Sequence, residues 1–144
     1  MDSSISISML KGLKSSYINV LAFFTQEENS CAYKLQCLVK WGLQLGIHKA
    51  ELHRYMKDPA LIRFQAPNSN INALAQVYDL VYMVYMDGIV EDIELELVSE
   101  YASSIGLEAH VVNNLLKAMV AAQMDGTPDE ALRSDILVHP EVYV

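Results

Sequence analysis

The sequence predicts an all-α protein, a compact bundle of about seven helices. Two observations carry that expectation. Apolar residues recur at spacings of three and four along most of the 144 residues, the period of one helix face. The few glycines and prolines fall where those periodic stretches stop or start. A third observation, 52% apolar and 19% charged residues, says that the chain has enough apolar side chains to form a core. A folded domain of this length hides roughly 70% of its extended-chain surface, so one domain over residues 1–144 is expected. Its halves, about 1–66 and 67–144, are read as interdependent.

The first helix is expected from Met9, Leu13, Tyr17, Leu21 and Phe24, and the polar stretch from Thr25 to Ser30 ends it. Cys31, Leu35, Leu38 and Leu45 carry a second helix to Gly46, which can close it in a left-handed cap. Lys49 to Met56 form a third, halted at Asp58-Pro59 because a residue before proline avoids the helical region. Pro67-Asn68-Ser69-Asn70 reads as a loop whose last residue caps the next helix. That fourth helix, Ile71 to Met86, is apolar nearly all round and is expected at the centre. A fifth runs from about Glu91 to Ile105 and stops at Gly106. A sixth runs from Glu108 to Met124, with Val111, Val112, Leu115 and Met119 inward, and stops at Gly126. Thr127-Pro128-Asp129-Glu130 has the Thr cap, the proline and the Glu of a capping box for a seventh helix. Ile136 to Val144, which contains Pro140, reads as a surface strap.

No apolar run approaches the ~20 residues of a membrane helix; Leu80 to Met86 is the best and it is short. The Met-Asp-Ser-Ser start has no basic residue before Lys11, and Val20 to Phe24 has no small-residue cleavage site after it. A cytoplasmic protein is expected. Cys31 and Cys37 match neither a zinc spacing nor a redox Cys-x-x-Cys and read as buried, reduced thiols.

The net charge of −8 opposes nucleic-acid binding, whose affinity comes mainly from Lys and Arg against phosphate. Its distribution is uneven. Residues 1–63 hold eight basic and five acidic side chains, whereas residues 64–116 hold eight acids and neither Lys nor Arg. Such opposed halves permit head-to-tail self-association, weakened by salt.

The acids concentrate. Asp87, Glu91, Asp92, Glu94, Glu96 and Glu100 fall within fourteen residues, and Asp92, Glu96 and Glu100 step by four along the fifth helix. With no Lys or Arg nearby in sequence, this face repels itself, and a basic protein partner or a divalent metal would relieve it. The plainer alternative is a solvated face neutralised by the basic first half. Asp87 and Asp125 each sit in Met-Asp-Gly at a helix C-terminus, where a negative charge costs ~0.3–1 kcal/mol. Capping of the following turn by the Asp side chain would offset that cost.

Asp87-Gly88-x5-Glu94, with Val90 as the apolar residue, reproduces the second half of an EF-hand loop. Met83 and Tyr85 occupy the loop's first carboxylate positions and cannot ligate a hard cation, so this is no intact EF-hand. A calcium or magnesium site would draw on Asp87 and Glu94 with Asp79 or Asp92. His48 and Glu51, at i and i+3, could share a ligand, although a transition-metal site there is disfavoured. No Gly-x-Ser-x-Gly elbow, Gly-rich phosphate loop or Cys beside a His is present, and no catalysis is expected. A hydrolase using paired carboxylates is the least favoured reading, to be judged by whether a cleft lies beside Asp87 and Glu94.

The stretch from Leu80 through Met86-Asp-Gly-Ile-Val-Glu-Asp-Ile-Glu-Leu-Glu-Leu-Val, continuing to Ser104-Ile105-Gly106-Leu107, resembles the TerB-like (tellurite-resistance) family. The shared signature is a helix ending in Asp-Gly-x-apolar, a Glu opening the next helix, and an apolar-Gly-Leu exit. The resemblance covers residues 71–120 well and the rest loosely. It implies an all-helical domain of two such helix-pair units, the first degenerate here: Gly46 answers Gly88 and Glu51 answers Glu94, one residue short. Leu45 stands where the family's first Asp would be, which leaves a site needing acids from both units half complete. The resemblance further implies a small cytoplasmic module linked to tellurite and stress responses, binding metal ions or acting in protein assemblies, without established catalysis.

Overall fold

The structure, a computed structural model, describes residues 7–26, 29, 31–85 and 88–144. Among these residues the only regular elements are helices. They fall into two compact units, Met1–Gln65 and Ala66–Val144.

The first unit comprises α1 (Ile7–Thr25), α2 (Ala32–Gln44), α3 (Lys49–Lys57) and a 3-10 turn, Pro59–Leu61. The stripe read in α1 points inward, with Leu13, Tyr17, Leu21 and Phe24 buried, and α2 adds Leu38 and Trp41. Fully burying such side chains is worth ~1.5–3 kcal/mol each for the aliphatics. The Tyr17 hydroxyl donates to the Leu38 carbonyl at 2.5 Å. Burial, with a smaller contribution from Cys37, pushes the Tyr17 phenol well above its ordinary range, so it serves as a neutral donor. Gly42 of α2 faces Tyr17 of α1 and Leu52 of α3: a Cβ there would lie 2.6 Å from the Tyr17 oxygen and 2.8 Å from Leu52 Cδ2. The Asn19 side chain clamps the end of the unit, donating to the Gln65 carbonyl at 2.9 Å and accepting from its N–H at 2.8 Å.

The second unit comprises α4 (Asn70–Tyr85), α5 (Asp92–Ser104), α6 (His110–Met124), α7 (Asp129–Val138) and a 3-10 turn, Pro140–Val142. α4 is central, as its all-round apolar character requires. Every residue from Val77 to Val84 is buried, and α5, α6 and α7 all pack on it. The inward set expected on α6, Val111, Val112, Leu115 and Met119, is buried. Gly46 and Gly106 adopt φ of 81° and 91°, a region that a Cβ disfavours. Beyond them Ile47 N–H reaches the Gly42 carbonyl at 3.0 Å and Leu107 N–H the Ala102 carbonyl at 2.9 Å, the long bond of a Schellman motif.

Four local readings are corrected. Helix α4 already includes Asn70, and Ser69 is the cap, its Oγ accepting from Asn72 N–H at 3.1 Å. Pro128, not Thr127, precedes α7 as its N-cap residue, because its ψ of 146° is extended rather than helical; the Thr127 N–H closes α6 on the Ala122 carbonyl at 2.8 Å. The strap begins later than Ile136: α7 continues to Val138, and Ile136 is buried on it. Tyr143 then pins the last turn, its hydroxyl donating to Asp135 Oδ2 at 2.6 Å while its carbonyl accepts from Asn114 Nδ2 at 3.0 Å. Finally, Cys31 is half-buried at the N-cap of α2, whereas Cys37 is buried, and both are free thiols.

Candidate functional site

The acidic segment organises around the first turn of α5. Glu91 is the N-cap residue in extended conformation and Glu94 occupies N3. The Glu91 backbone N–H donates to Glu94 Oε1 at 3.2 Å, which satisfies a donor that the helix start leaves without an intrahelical partner. That bond draws Glu94 inward to 1% exposure. Glu94 therefore helps to start a helix, while Glu91, Asp92 and Glu96 face solvent and Glu100 is half-buried. The stripe of Asp92, Glu96 and Glu100 runs along α5 for roughly 12 Å at 1.5 Å per residue. Asp92, in the first turn, gains ~0.3–1 kcal/mol from the positive end of the helix dipole.

Directly before these acids the chain exposes two large aliphatics, Ile89 at 64% and Val90 at 40%. Val90, the apolar residue of the EF-hand-like pattern, faces water. Their exposure could not be read from the sequence, in which an apolar pair before a helix is as readily a hydrophobic staple.

Asp79 lies elsewhere in the unit's chemistry. It is 1% exposed on central α4, and Arg133 of α7 grips it in a bidentate pair, Nε to Oδ1 at 2.9 Å and Nη2 to Oδ2 at 3.1 Å. The bond to Asp79 raises the Arg133 pKa further above its ordinary value. The expectation that the acids lack a cation is thus corrected for Asp79: its partner is 54 residues downstream, beyond any local reading. The surrounding groups extend the network. Tyr78 donates to the Asp129 carbonyl at 3.2 Å and Tyr82 to Asp129 Oδ2 at 3.0 Å. Burial first, then the charges of Asp129 and Asp79, push the Tyr78 phenol well up. The whole arrangement latches α7 onto α4.

Of the residues expected to hold a cation, Asp87 lies outside the described residues, Asp79 faces Arg133, Glu94 is buried at the start of α5, and Asp92 is exposed. Among the described residues no three His, Cys, Asp or Glu side chains form a group suited to a metal ion. In the first unit, His48 is the N-cap of α3 and its Nδ1 accepts from Ala50 N–H at 3.2 Å, which commits one ring nitrogen to capping. Gly46 is the left-handed residue after α2 and Glu51 is in the first turn of α3, exposed. Asp125 is the exposed C-cap of α6.

A cleft of about 580 Å³ opens at the other end of α5, between the starts of α4 and α6 and the last residues of the chain. Its floor is apolar, with Leu74, Leu107 and Val111, and Glu108, His110 and Glu141 stand at its rim. Glu108 lies 3.3 Å from His110 Nδ1. Glu94 is not among its walls, so this cleft offers no paired-carboxylate site of the kind envisaged for Asp87 and Glu94. No protein-family model, curated protein or solved structure matches the chain.

Proposed function

We propose that the protein is a non-catalytic binding module that docks a basic, amphipathic protein segment on the start of α5. The observation that carries this reading is the exposure of Ile89 and Val90 immediately beside the solvent-facing carboxylates of Glu91, Asp92 and Glu96. Burying the two aliphatics would supply affinity, and the carboxylates would steer and orient a Lys- or Arg-bearing partner. The resemblance to the TerB-like family, with Gly88 and Glu94 in the intact unit and Gly46 and Glu51 in a degenerate one, supports a cytoplasmic interaction role in stress responses.

The test is a titration of the full chain, kept in chelator, with a helical peptide bearing Leu on one face and Lys on the other. Micromolar binding should weaken at least about tenfold, or ~1.4 kcal/mol, in Glu91→Lys/Asp92→Lys, and also in Ile89→Ser. Equal affinity for wild type and both variants would refute the assignment. Calcium and magnesium, added to chelator-stripped protein, test the rival cation-sensor reading, in which Asp87 and Glu94 are the ligands with Asp79 or Asp92 completing the shell. An ion at 100 times its dissociation constant adds ~2.7 kcal/mol to stability. A midpoint shift that Asp87→Asn abolishes would favour that rival.

A further inference from the structure

Helix α3 carries the opposite pattern. Lys49, His53 and Lys57 step by four along it and Arg54 lies beside them, all exposed. Together with His48 and Ala50 they line a shallow groove of about 480 Å³ in which no carboxylate takes part. Glu51, also exposed, is not among the groove's walls; it lies about 200° around the helix from Lys49 and about 60° from Arg54. Among the described residues, Lys49, Arg54 and Lys57 have no ion-pair partner. Arg54 and Lys57 suit the negative end of the α3 dipole, but Lys49 in the first turn opposes the positive end. A cationic stripe without counter-charge in a chain of net charge −8 calls for an anionic occupant.

We infer that the occupant is the acidic face of α5 in a second copy of this chain, so that the protein associates head to tail. The inference rests on the docking reading above and names its basic partner. The complementarity is one of charge: Lys49, Arg54 and Lys57 are exposed on α3, and Asp92 and Glu96 face solvent on α5. Ile89 and Val90, at the start of the acidic stripe, would meet the apolar stems of the groove residues, since Lys and Arg cover apolar surface with their methylenes. The net charge of each copy repels the other, but at ~0.15 M salt the screening length is about 8 Å. Repulsion between whole molecules is then damped while contact pairs persist. The contact is heterologous, because the two surfaces differ, so it leaves one free face at each end and propagates into chains or rings. Two short helices bury less than the ~1,200 Å² of a stable complex, which makes the association weak and dynamic.

The experiment is sedimentation velocity on the full chain from ~10 μM to ~1 mM at ~0.15 M and ~1 M salt, with neutralising variants of exposed residues. Wild type should form species beyond the monomer at the lower salt, with the association constant falling at least about tenfold at ~1 M, where the screening length is ~3 Å. Lys49→Gln/Lys57→Gln and Asp92→Asn/Glu96→Gln should each be monomeric alone. Mixed in equal amounts they should form a dimer and nothing larger, because one intact α3 face meets one intact α5 face. A monomeric wild type at every concentration would overturn the inference, as would a mixture that associates no better than its parts. If wild type is monomeric yet the Leu/Lys peptide still binds in an Asp92- and Glu96-dependent way, self-association falls and the docking reading stands. If neither associates, both fall.

Discussion

Replacing Arg133 by Met tests whether Asp79 is committed to holding α7 on α4. Asp79 is 1% exposed and takes both of its bonds to Arg133 from one guanidinium, whose side chain is 28% exposed. Removing one partner of a buried pair costs ~3–5 kcal/mol, because the remaining charge is left desolvated. The partial exposure of Arg133 places the expected loss at the lower end, about 3 kcal/mol. At roughly 4 °C per kcal/mol for a chain of this size, the transition of the second unit should fall by about 12 °C. The reverse change, Asp79→Leu, should cost less, about 1–2 kcal/mol, because the partly exposed guanidinium can turn to water. The double variant Asp79→Leu/Arg133→Met should recover to within about 1 kcal/mol of wild type, since an apolar pair of similar volume replaces a buried ion pair with little net loss. Circular-dichroism melts of the four proteins give the coupling directly. A shift below about 3 °C for Arg133→Met, or a double variant no more stable than that single one, would mean that the carboxylate is not held as described. Asp79 would then be open to a cation, and the case for the cation-sensor reading would strengthen.

Two further perturbations probe the packing of each unit. Gly42→Ala sets a methyl 2.6 Å from the Tyr17 oxygen and 2.8 Å from Leu52. It should destabilise the first unit by ~1–3 kcal/mol in a urea titration, whereas an unchanged midpoint would show that α1 and α3 do not close on that residue. In the second unit, Tyr143 has its phenol pushed up to about 12 by burial and then by its bond to Asp135. A group whose folded pKa is raised contributes stability in full below its unfolded value, here ~10, and loses it as pH rises through the folded value. Wild type should therefore lose stability relative to Tyr143→Phe between about pH 10 and 12. Parallel pH profiles of the two proteins would count against the bond.

The course of the helices was legible because it is set by local chemistry. The three- and four-residue spacing marked α1, α4 and α6, and glycines at 46, 106 and 126 marked three ends. The errors fell where two local rules competed for one group. Thr127 looks like a cap by composition, but its N–H closes the preceding helix on Ala122, and α7 begins after Pro128 instead. Ser69 and Asn70 are both good cap residues, and the choice between them depends on which residue first turns helical. The candidate site divided differently. The acid stripe of Asp92, Glu96 and Glu100 follows from spacing alone. The Asp79–Arg133 pair joins residues 54 apart and leaves no mark in either neighbourhood.

The two N3 glutamates show why equal sequence positions need not carry equal chemistry. Glu51 and Glu94 each stand three residues after the N-cap, His48 and Glu91 respectively. The one-residue difference between the segments lies in the link from glycine to cap: Ile47 alone in the first, Ile89 and Val90 in the second. In the first, the capping acceptor is the His48 ring, bonded to Ala50 N–H, and Glu51 stays in solvent. In the second, Glu94 bonds back to the Glu91 N–H and is buried. The extra residue also changes what the link displays. Ile47 is at the edge of burial, whereas Ile89 and Val90 are exposed. An exposed apolar pair beside acids thus stands before α5, and Lys49, Arg54 and Lys57 line the groove on α3. The one-residue difference in the link thus accompanies different helix starts: a capping histidine followed by Lys49 in α3, and exposed aliphatics followed by exposed carboxylates in α5.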